Sequence, residues 1–206
     1  MNNNLNPNQG PSQRHALLRP VLALFALLSV LTGIVYPLAV TGAARAVFPQ
    51  QAAGSLVVQG ETVVGSALIG QSFSDPRHFW GRPSATAPMA YNAAASSGSN
   101  QGPLNPALVD AVRARIEALR AADPGNQAPV PADLVTASAS GLDPHISPAA
   151  ALYQAPRIAR LRGLAPQQLV DLVGQHTEQP LLFGLIGEPR VNVLALNLAL
   201  DAAHGR

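Results

Sequence analysis

The sequence predicts one transmembrane helix near the N-terminus, followed by a single extracytoplasmic α+β domain. The helix is predicted by 20 predominantly apolar residues at positions 21–40, within an uncharged stretch at 20–44. Such a helix is about 30 Å long and matches the core of a bilayer. The α+β domain is predicted by valine-containing runs and by helical segments with clear start and stop signals. A chain of 206 residues is long enough for one such domain with its own core.

The predicted anchor at residues 16–45 indicates the orientation of the chain. Arg14 and Arg19 precede the apolar run, and only Arg45 follows it closely. Because positive charge is concentrated on the cytoplasmic side of membrane helices, we expect a cytoplasmic N-terminus and an extracytoplasmic domain at residues 46–206. A cleaved signal peptide is the alternative, with a small-x-small site around Arg45, but the apolar run is longer than a signal core.

Three residues within the anchor concern its packing. Ser29 and Gly33 lie four positions apart on one helix face, where small side chains let a second membrane helix approach closely. Pro37 is expected to kink the outer third of the helix unless a neighbouring helix accommodates it. Residues 1–15, before the anchor, are mostly polar and are predicted to form a disordered tail, because they bury too little apolar surface.

The predicted domain begins with a hairpin, whose strands are the valine-containing runs at 55–58 and 62–64. Residues 74–105 form a long irregular region, which in a compact domain is normally functional or disordered. The next predicted elements are a helix from Asn105 to Asp123, a strand at 133–137, a helix from Ser147 that Pro156 interrupts or kinks, and a helix at 166–176. Residues 191–202 fit either a strand or a helix capped by Asn192, and their Leu and Ala content favours the helix.

The composition excludes several kinds of chemistry and argues against nucleic-acid binding. The sequence contains 13 arginines, no lysine and no cysteine. Walker A loops, usual kinase catalysis and Schiff bases need lysine, while disulfides, cysteine-ligated metals and thiol nucleophiles need cysteine. The formal charge is +3 over residues 1–45 and −1 over residues 46–206, so the domain has no concentrated basic surface for a phosphate backbone. The histidines are scattered, without metal-ligand spacing.

One candidate site lies in the irregular region. Asp75, Arg77, His78 and Arg82 lie within eight positions, and arginines beside aromatic residues can bind a carboxylate or phosphate. The preferred interpretation is a rigid loop in which Asp75 pairs with an arginine and the adjacent aromatic pair fills the core.

A second candidate site consists of Asp143, His145 and Ser147, the side-chain types of a hydrolase triad. A triad is usually assembled from distant segments, and the sequence contains no Gly-x-Ser-x-Gly elbow. The preferred interpretation is therefore a turn at Asp143, followed by a helix that Ser147 caps.

Two further clusters resemble anion sites. Arg157, Arg160 and Arg162 stand near a predicted helix end, and we interpret them as a solvated terminus favoured by the helix dipole. The Ser- and Gly-rich loop at 96–102, which contains Asn100, imitates a phosphate-binding loop but has neither a preceding strand nor a lysine.

Several long motifs occur in a fixed order along the chain. They are Gly-x-x-Tyr-Pro in the apolar run, GSALIGQSF, DPRHFWGRPSA, SSGSNQGPLNPAL, VPADLVTASASGLDPHISPAAA, QAPR and GEPRVNVLALNLALD. In order and spacing they resemble the C subunit of the bacterial Kdp potassium-transporting P-type ATPase, over roughly residues 16–202. One local departure is Ala165, where a capping serine is common in that family.

The resemblance implies an accessory, non-catalytic subunit of a high-affinity ATP-driven potassium uptake complex in the bacterial inner membrane, needed for assembly. The implied partners are a channel-like potassium-binding subunit, a P-type ATPase subunit, a small membrane peptide and the lipid bilayer. No firmly bound cofactor is expected. The residues expected to contact partners or to support the domain are Asp75, Arg77, Arg82, Asn100, Asp143, His145, Arg157, Glu188 and Arg190.

The same family is described as a catalytic chaperone that raises the ATP affinity of the ATPase subunit. Its proposed nucleotide-contacting glutamine corresponds to Gln154, which implies ATP as a shared ligand. An extracytoplasmic Gln154 is separated by the bilayer from a cytoplasmic ATP site, so we expect an indirect effect through linked conformations. The alternatives are a membrane-anchored periplasmic hydrolase using His145 and Ser147, and a stand-alone binding module.

Overall fold

The computed structural model describes residues 11–184 and 186–204, and the chain divides into two compact units. The first unit ends at Gly54 and contains the predicted anchor, while the second begins at Ser55 and is a mixed α+β domain. The predicted fold class is therefore confirmed.

The first unit contains a long, nearly continuous helix. It consists of α1 (Pro11–Val30), a π-helical turn (Leu31–Val35) and α2 (Tyr36–Val47), and the short helix α3 (Pro49–Ala52) follows. The span Leu17–Val47 has 31 residues, and its most apolar stretch of 18 residues has a mean hydropathy of 2.3 with no buried residue. It is long and apolar enough to cross a membrane, as predicted, and is consistent with a single-pass protein.

Helix α1 begins at Pro11, within the segment 1–15 that was predicted to be a disordered tail. Residues 11–15 are helical, whereas residues 1–10 lie outside the described residues. The physical reason is that Pro11 fits the first position of a helix, and a helix that the apolar span has nucleated extends through polar residues at little cost.

The π-helical turn explains how the helix passes Pro37. Proline lacks an N–H and its ring clashes with the carbonyl four residues earlier in an α-helix. The turn at Leu31–Val35 ends just before that proline, and such widened turns accommodate interruptions of the α-helical ladder. The hydroxyl of Thr32 donates to the carbonyl of Leu28 at 2.7 Å in the same region. The expected disturbance at Pro37 is thus a π turn within the helix.

The second unit combines one hairpin, one small sheet and five helices among the described residues. Its strands are β1 (Leu56–Gln59), β2 (Thr62–Ser66), β3 (His145–Ile146), β4 (Thr177–Glu178) and β5 (Arg190–Asn192). Its helices are α4 (Pro106–Ala122), α5 (Pro148–Arg162), α6 (Pro166–Gln175), α7 (Leu181–Gly184) and α8 (Val193–His204). Strands β1 and β2 form the predicted hairpin, and β3, β5 and β4 form an antiparallel sheet in that order.

The core of the second unit lies between α5, α6, α8 and the three-stranded sheet. Its largest buried apolar side chains are Phe79, Ile146, Ile158, Leu169, Leu196 and Leu200. The segment between β2 and α4 is irregular apart from a 3₁₀ turn at Ala93–Ala95. It nevertheless delivers Phe79 into this core, so the long irregular region is an integral part of the fold.

The predicted helix caps at Asn105, Ser147 and Asn192 are confirmed. The side-chain oxygen Oδ1 of Asn105 accepts from Ala107 N–H at 3.0 Å, and the Ser147 hydroxyl accepts from Ala150 N–H at 3.0 Å. Asn192 ends β5 and caps α8 through Ala195 N–H at 3.1 Å. The ambiguous segment is therefore a strand of three residues followed by a helix.

Two element predictions are wrong. Residues 133–137 do not form a strand, and the 3₁₀ turn Ala132–Leu134 lies there instead. The adjacent residues Leu134 and Val135 are both buried, whereas neighbouring side chains of a strand with one solvent-exposed face point to opposite sides. Helix α5 is continuous through Pro156, so the predicted interruption is wrong, whereas a kink at this residue stays a prediction. The residues on either side of this proline are buried in the core, and this packing compensates for the lost backbone hydrogen bond.

Helix α6 has an incomplete N-terminal cap at Ala165. The Gln168 side chain accepts from Ala165 N–H at 2.9 Å, but alanine has no oxygen to accept the reciprocal bond. We expect Ala165→Ser to raise the free energy of unfolding by about 0.5–1 kcal/mol, measured by denaturant unfolding of the full chain in detergent. Ala165→Val is the matched control, since it adds bulk without an acceptor and should give no gain.

Candidate functional site

Two side-chain amides hold the aromatic pair of the irregular region in place. Gln154 on α5 accepts from Trp80 N–H at 2.8 Å and donates to Trp80 C=O at 3.1 Å. Asn197 on α8 accepts from Phe79 N–H at 2.8 Å and donates to Phe79 C=O at 2.9 Å. We call Gln154 and Asn197 the amide clamp. It supplies to these two residues the backbone partners that neighbouring strands supply in a sheet.

Gln154 makes further bonds that use its remaining capacity. Its oxygen also accepts from Arg157 Nη2 at 2.9 Å, and its nitrogen also donates to the carbonyl of Ala150 at 3.2 Å. The side chain is only 2% exposed. A glutamine amide offers two donors and two acceptor positions, so all four are taken by the protein itself.

Arg157 is buried beside Gln154, and the prediction that it belongs to a solvated helix end is wrong. It is 2% exposed, donates to His78 C=O at 2.9 Å and places its guanidinium carbon 4.3 Å from the centre of the Trp80 ring. Burial lowers the pKa of Arg157 to about 10, which leaves it charged at neutral pH. The backbone carbonyl of His78, the side-chain oxygen of Gln154 and the aromatic face of Trp80 stabilise this charge in place of water.

Arg162 is also withdrawn from solvent. Its side chain is 6% exposed, and it donates to Asp201 on α8 at 2.6 Å and to Arg77 C=O at 2.9 Å. Asp201 also lies 3.0 Å from Nε2 of His78. Only Arg160 of the three predicted terminal arginines is largely exposed. The sequence offered no local signal for this difference, because these partners come from the distant irregular region and from α8.

The start of the irregular region is tied as the rigid-loop interpretation predicted. Asp75 pairs with Arg77 at 2.9 Å, and its backbone carbonyl accepts from the Trp80 indole at 3.0 Å. Hydrogen bonds from Arg77 lower the pKa of Asp75 to about 2. Phe79 is fully buried and Trp80 packs against the core. This segment therefore serves the fold, while Arg82 points elsewhere.

A cleft of about 470 Å³ brings together most of the remaining candidates. Arg82 pairs with Asp143 at 3.2 Å, and Asp143 accepts from His145 N–H at 3.0 Å. Burial opposes ionisation of Asp143, but the His145 hydrogen bonds and the charge of Arg82 lower its pKa overall. The cleft is also lined by Asp133, Ser147, Glu188 and Arg190.

The triad residues meet in this cleft with capping geometry. Nδ1 of His145 lies 3.3 Å from Asp143. The Ser147 hydroxyl donates to Asp133 at 3.2 Å and accepts the capping bond of α5. A nucleophilic serine needs its hydroxyl hydrogen-bonded to the histidine that deprotonates it. The structure instead confirms the expected cap at Ser147, and at Asp143 it shows a side-chain bond from the N–H of His145, where β3 begins.

The other predicted residues lie on the surface. Glu188 and Arg190 are exposed, and Arg190 pairs with Glu178 across β4 and β5 at 2.9 Å. Asn100 is exposed with a left-handed φ of 51°. The loop around it packs against another turn, since the Ser97 N–H donates to the Ser140 carbonyl at 3.0 Å. Within residues 11–184 and 186–204, no cluster of His, Asp and Glu has the arrangement of a metal site.

Comparison with known proteins decides the family. The profile described as K⁺-transporting ATPase, c chain (KdpC), matches residues 18–202. The chain belongs to the KdpC family. It is 76% identical over 187 residues to the potassium-transporting ATPase KdpC subunit of Variovorax paradoxus (strain S110), covering 91% of this chain and 96% of that protein. It is 70% identical over 186 residues to the KdpC subunit of Polaromonas naphthalenivorans (strain CJ2), covering 90% and 94%.

Two residues that matter for this KdpC-family domain were missed by sequence reasoning. Asn197 completes the amide clamp, and Asp201 binds Arg162 and His78. They lie four positions apart in an otherwise apolar helix. That spacing places two polar side chains on one face of a buried helix, where each needs a partner. The spacing is therefore the sequence signal that could have identified both residues.

Acid is expected to destabilise this KdpC-family domain through Asp201. Burial opposes ionisation of Asp201, but hydrogen bonds from Arg162 and His78 lower its pKa below the ordinary 3.8. A lowered folded-state pKa adds stability that is complete above the ordinary pKa and is lost as pH falls through the folded value. Thermal unfolding should therefore show a Tm that falls below about pH 5.

Asp201→Asn is the variant that checks this assignment. It should lower Tm at pH 7 and flatten the acid limb of the Tm profile, because the amide does not titrate. Asp110→Asn is the matched control, since Asp110 is exposed and lies 3.8 Å from Arg113. An unchanged acid limb in Asp201→Asn would contradict the assignment.

Proposed function

We propose that this chain is a non-catalytic, membrane-anchored subunit of a K⁺-transporting ATPase complex, with the domain that begins at Ser55 on the extracytoplasmic side. The domain acts on assembly or on potassium entry, and any effect on ATP affinity is indirect. The observation that carries the proposal is that the side chains needed for catalysis or nucleotide contact are engaged internally. Gln154 has no free hydrogen-bonding position, and Ser147 caps α5.

The membrane part of the proposal is supported by the anchor. Leu17–Val47 exposes apolar side chains along its whole length. Contact of such a surface with water is unfavourable, whereas contact with lipid or with other membrane helices is favourable. Gly33 has open space around it, so a partner helix can approach the face that carries Ser29. The arginines before the apolar run favour a cytoplasmic N-terminus. The KdpC subunits named above are relatives over nearly their full length.

The orientation can be tested by single-cysteine labelling, because the sequence has no cysteine. Asn100→Cys introduces a thiol at an exposed position of the domain, and Asn4→Cys introduces one before the anchor. We expect a membrane-impermeant maleimide to label the first variant in intact spheroplasts and the second only after lysis. The reverse pattern would place the domain in the cytoplasm and would restore direct nucleotide contact by Gln154.

The role in the complex is tested by deleting residues 50–206 while keeping the anchor. We expect loss of ATP-driven potassium uptake and loss of co-purification with the ATPase subunit in mild detergent. Normal transport by this truncation would contradict the proposal.

Ser147→Ala separates the proposal from the hydrolase alternative. A subunit should lose the helix cap and the hydrogen bond from the Ser147 hydroxyl to Asp133, which costs about 1–2 kcal/mol of stability, with uptake retained. A hydrolase should lose all activity on its ester or amide substrate.

A further inference from the structure

Three buried polar atoms lie together where the end of α4 meets α5. They are Oδ2 of Asp123, the hydroxyl of Tyr153 and Nε of Arg157. None of the three has a hydrogen-bond partner among the described residues. Their side chains belong to residues that are 3%, 9% and 2% exposed. Buried polar groups without a partner are rare in folded proteins, so a group of three points to a bound molecule.

The three residues line one small cavity, together with Leu119 and Gln154. Its volume is about 10 Å³, which is about the room that one water molecule needs. A phosphate, a carboxylate or any other ligand larger than a water molecule is too large for it.

The chemistry of the lining selects a neutral ligand. Oδ2 of Asp123 accepts a hydrogen bond, Nε of Arg157 donates one, and the Tyr153 hydroxyl does either. A cation in the cavity would face the guanidinium of Arg157, and an anion would face the carboxylate of Asp123. Water both donates and accepts, and a buried water typically makes about three hydrogen bonds.

We propose that this cavity is a binding site for one ordered water molecule that joins the C-terminal end of α4 to α5. On the outer side, the exposed Arg160 binds the other carboxylate oxygen of Asp123, with its Nη2 at 2.7 Å. On the inner side, Arg157 connects the water to Gln154 and so to the amide clamp. The water completes a polar path from Arg160 at the surface to Trp80 in the core.

A structure of the complex at a resolution that shows ordered waters tests the site directly. We expect a single peak within about 3.2 Å of Oδ2 of Asp123, the Tyr153 hydroxyl and Nε of Arg157. A direct hydrogen bond between Asp123 and Tyr153, with no peak between them, would overturn the proposal in a map that shows other buried waters.

Tyr153→Phe provides a second, independent measurement on the full chain in detergent. If the hydroxyl binds water, its removal loses a hydrogen bond and lowers Tm. If it has no partner, removal of an unsatisfied buried group leaves Tm unchanged or raises it, and the proposal fails. Tyr91→Phe is the matched control, because the Tyr91 hydroxyl donates directly to the Arg82 carbonyl and its loss should lower Tm.

Discussion

Gln154→Leu is expected to reduce the free energy of unfolding by about 3–5 kcal/mol. The leucine fills a similar volume but leaves the N–H and C=O of Trp80 without their partner, and it removes one of the two acceptors of Arg157 Nη2. Each buried polar group left unpaired costs about 1–3 kcal/mol, and more when it is charged. Denaturant unfolding followed by the fluorescence of Trp80, the only tryptophan of the chain, measures the loss at the place where it arises.

Gln167→Leu is the control for this substitution, since Gln167 is exposed and its side chain donates to Asp171 within α6. It should change stability by no more than about 0.5 kcal/mol. The comparison also separates the two roles implied for Gln154. A Gln154→Leu variant with unchanged stability, in a complex with reduced ATP affinity, would indicate direct nucleotide contact and contradict the indirect role proposed above.

Gly141→Ala is expected to destabilise the domain by about 3 kcal/mol. Gly141 has a φ of 67°, in the left-handed region, and an added Cβ would lie 2.6 Å from the Ser97 carbonyl oxygen and 2.7 Å from a methyl of Thr86. The strained backbone costs about 1–3 kcal/mol, and the steric overlap adds to it because the nearest atom belongs to the backbone of another segment. The same turn is held by the Ser84 hydroxyl, which donates to Gly141 C=O at 2.7 Å.

Gly102→Ala is the matched control for the turn. Nothing lies within 4 Å of the added Cβ at Gly102, and its φ is not left-handed. It should leave Tm unchanged or raise it slightly. Equal Tm values for the two variants would contradict the packing of the turn at 138–141 against the loop at 96–102.

The predictions that held depended on neighbouring residues. Asn105, Ser147 and Asn192 each cap a helix within three positions of themselves, so short sequence windows contained the information. The ion pair between Asp75 and Arg77 spans two positions, and it was also expected. Local hydrogen bonding dominates the energetics of such ends and turns, which makes them readable from sequence.

The predictions that failed depended on residues far apart in the chain. Arg157 was assigned to solvent because helix ends attract arginine, but it donates to a carbonyl 79 positions away. Asn197 reaches Phe79 across 118 positions. A buried charge or amide is stabilised only by partners that the folded chain brings to it, so neither the amide clamp nor the candidate water site was visible in any local pattern.

The π-helical turn in the anchor also changes the rotational phase of the helix. One additional residue in a turn rotates everything after it by about 100°, the angular step of one residue. The surface that carries Ser29 and Gly33 therefore does not continue in register along Tyr36–Val47. The two halves of the span present differently directed contact surfaces, so the anchor can touch one neighbour in one leaflet and another neighbour in the opposite leaflet.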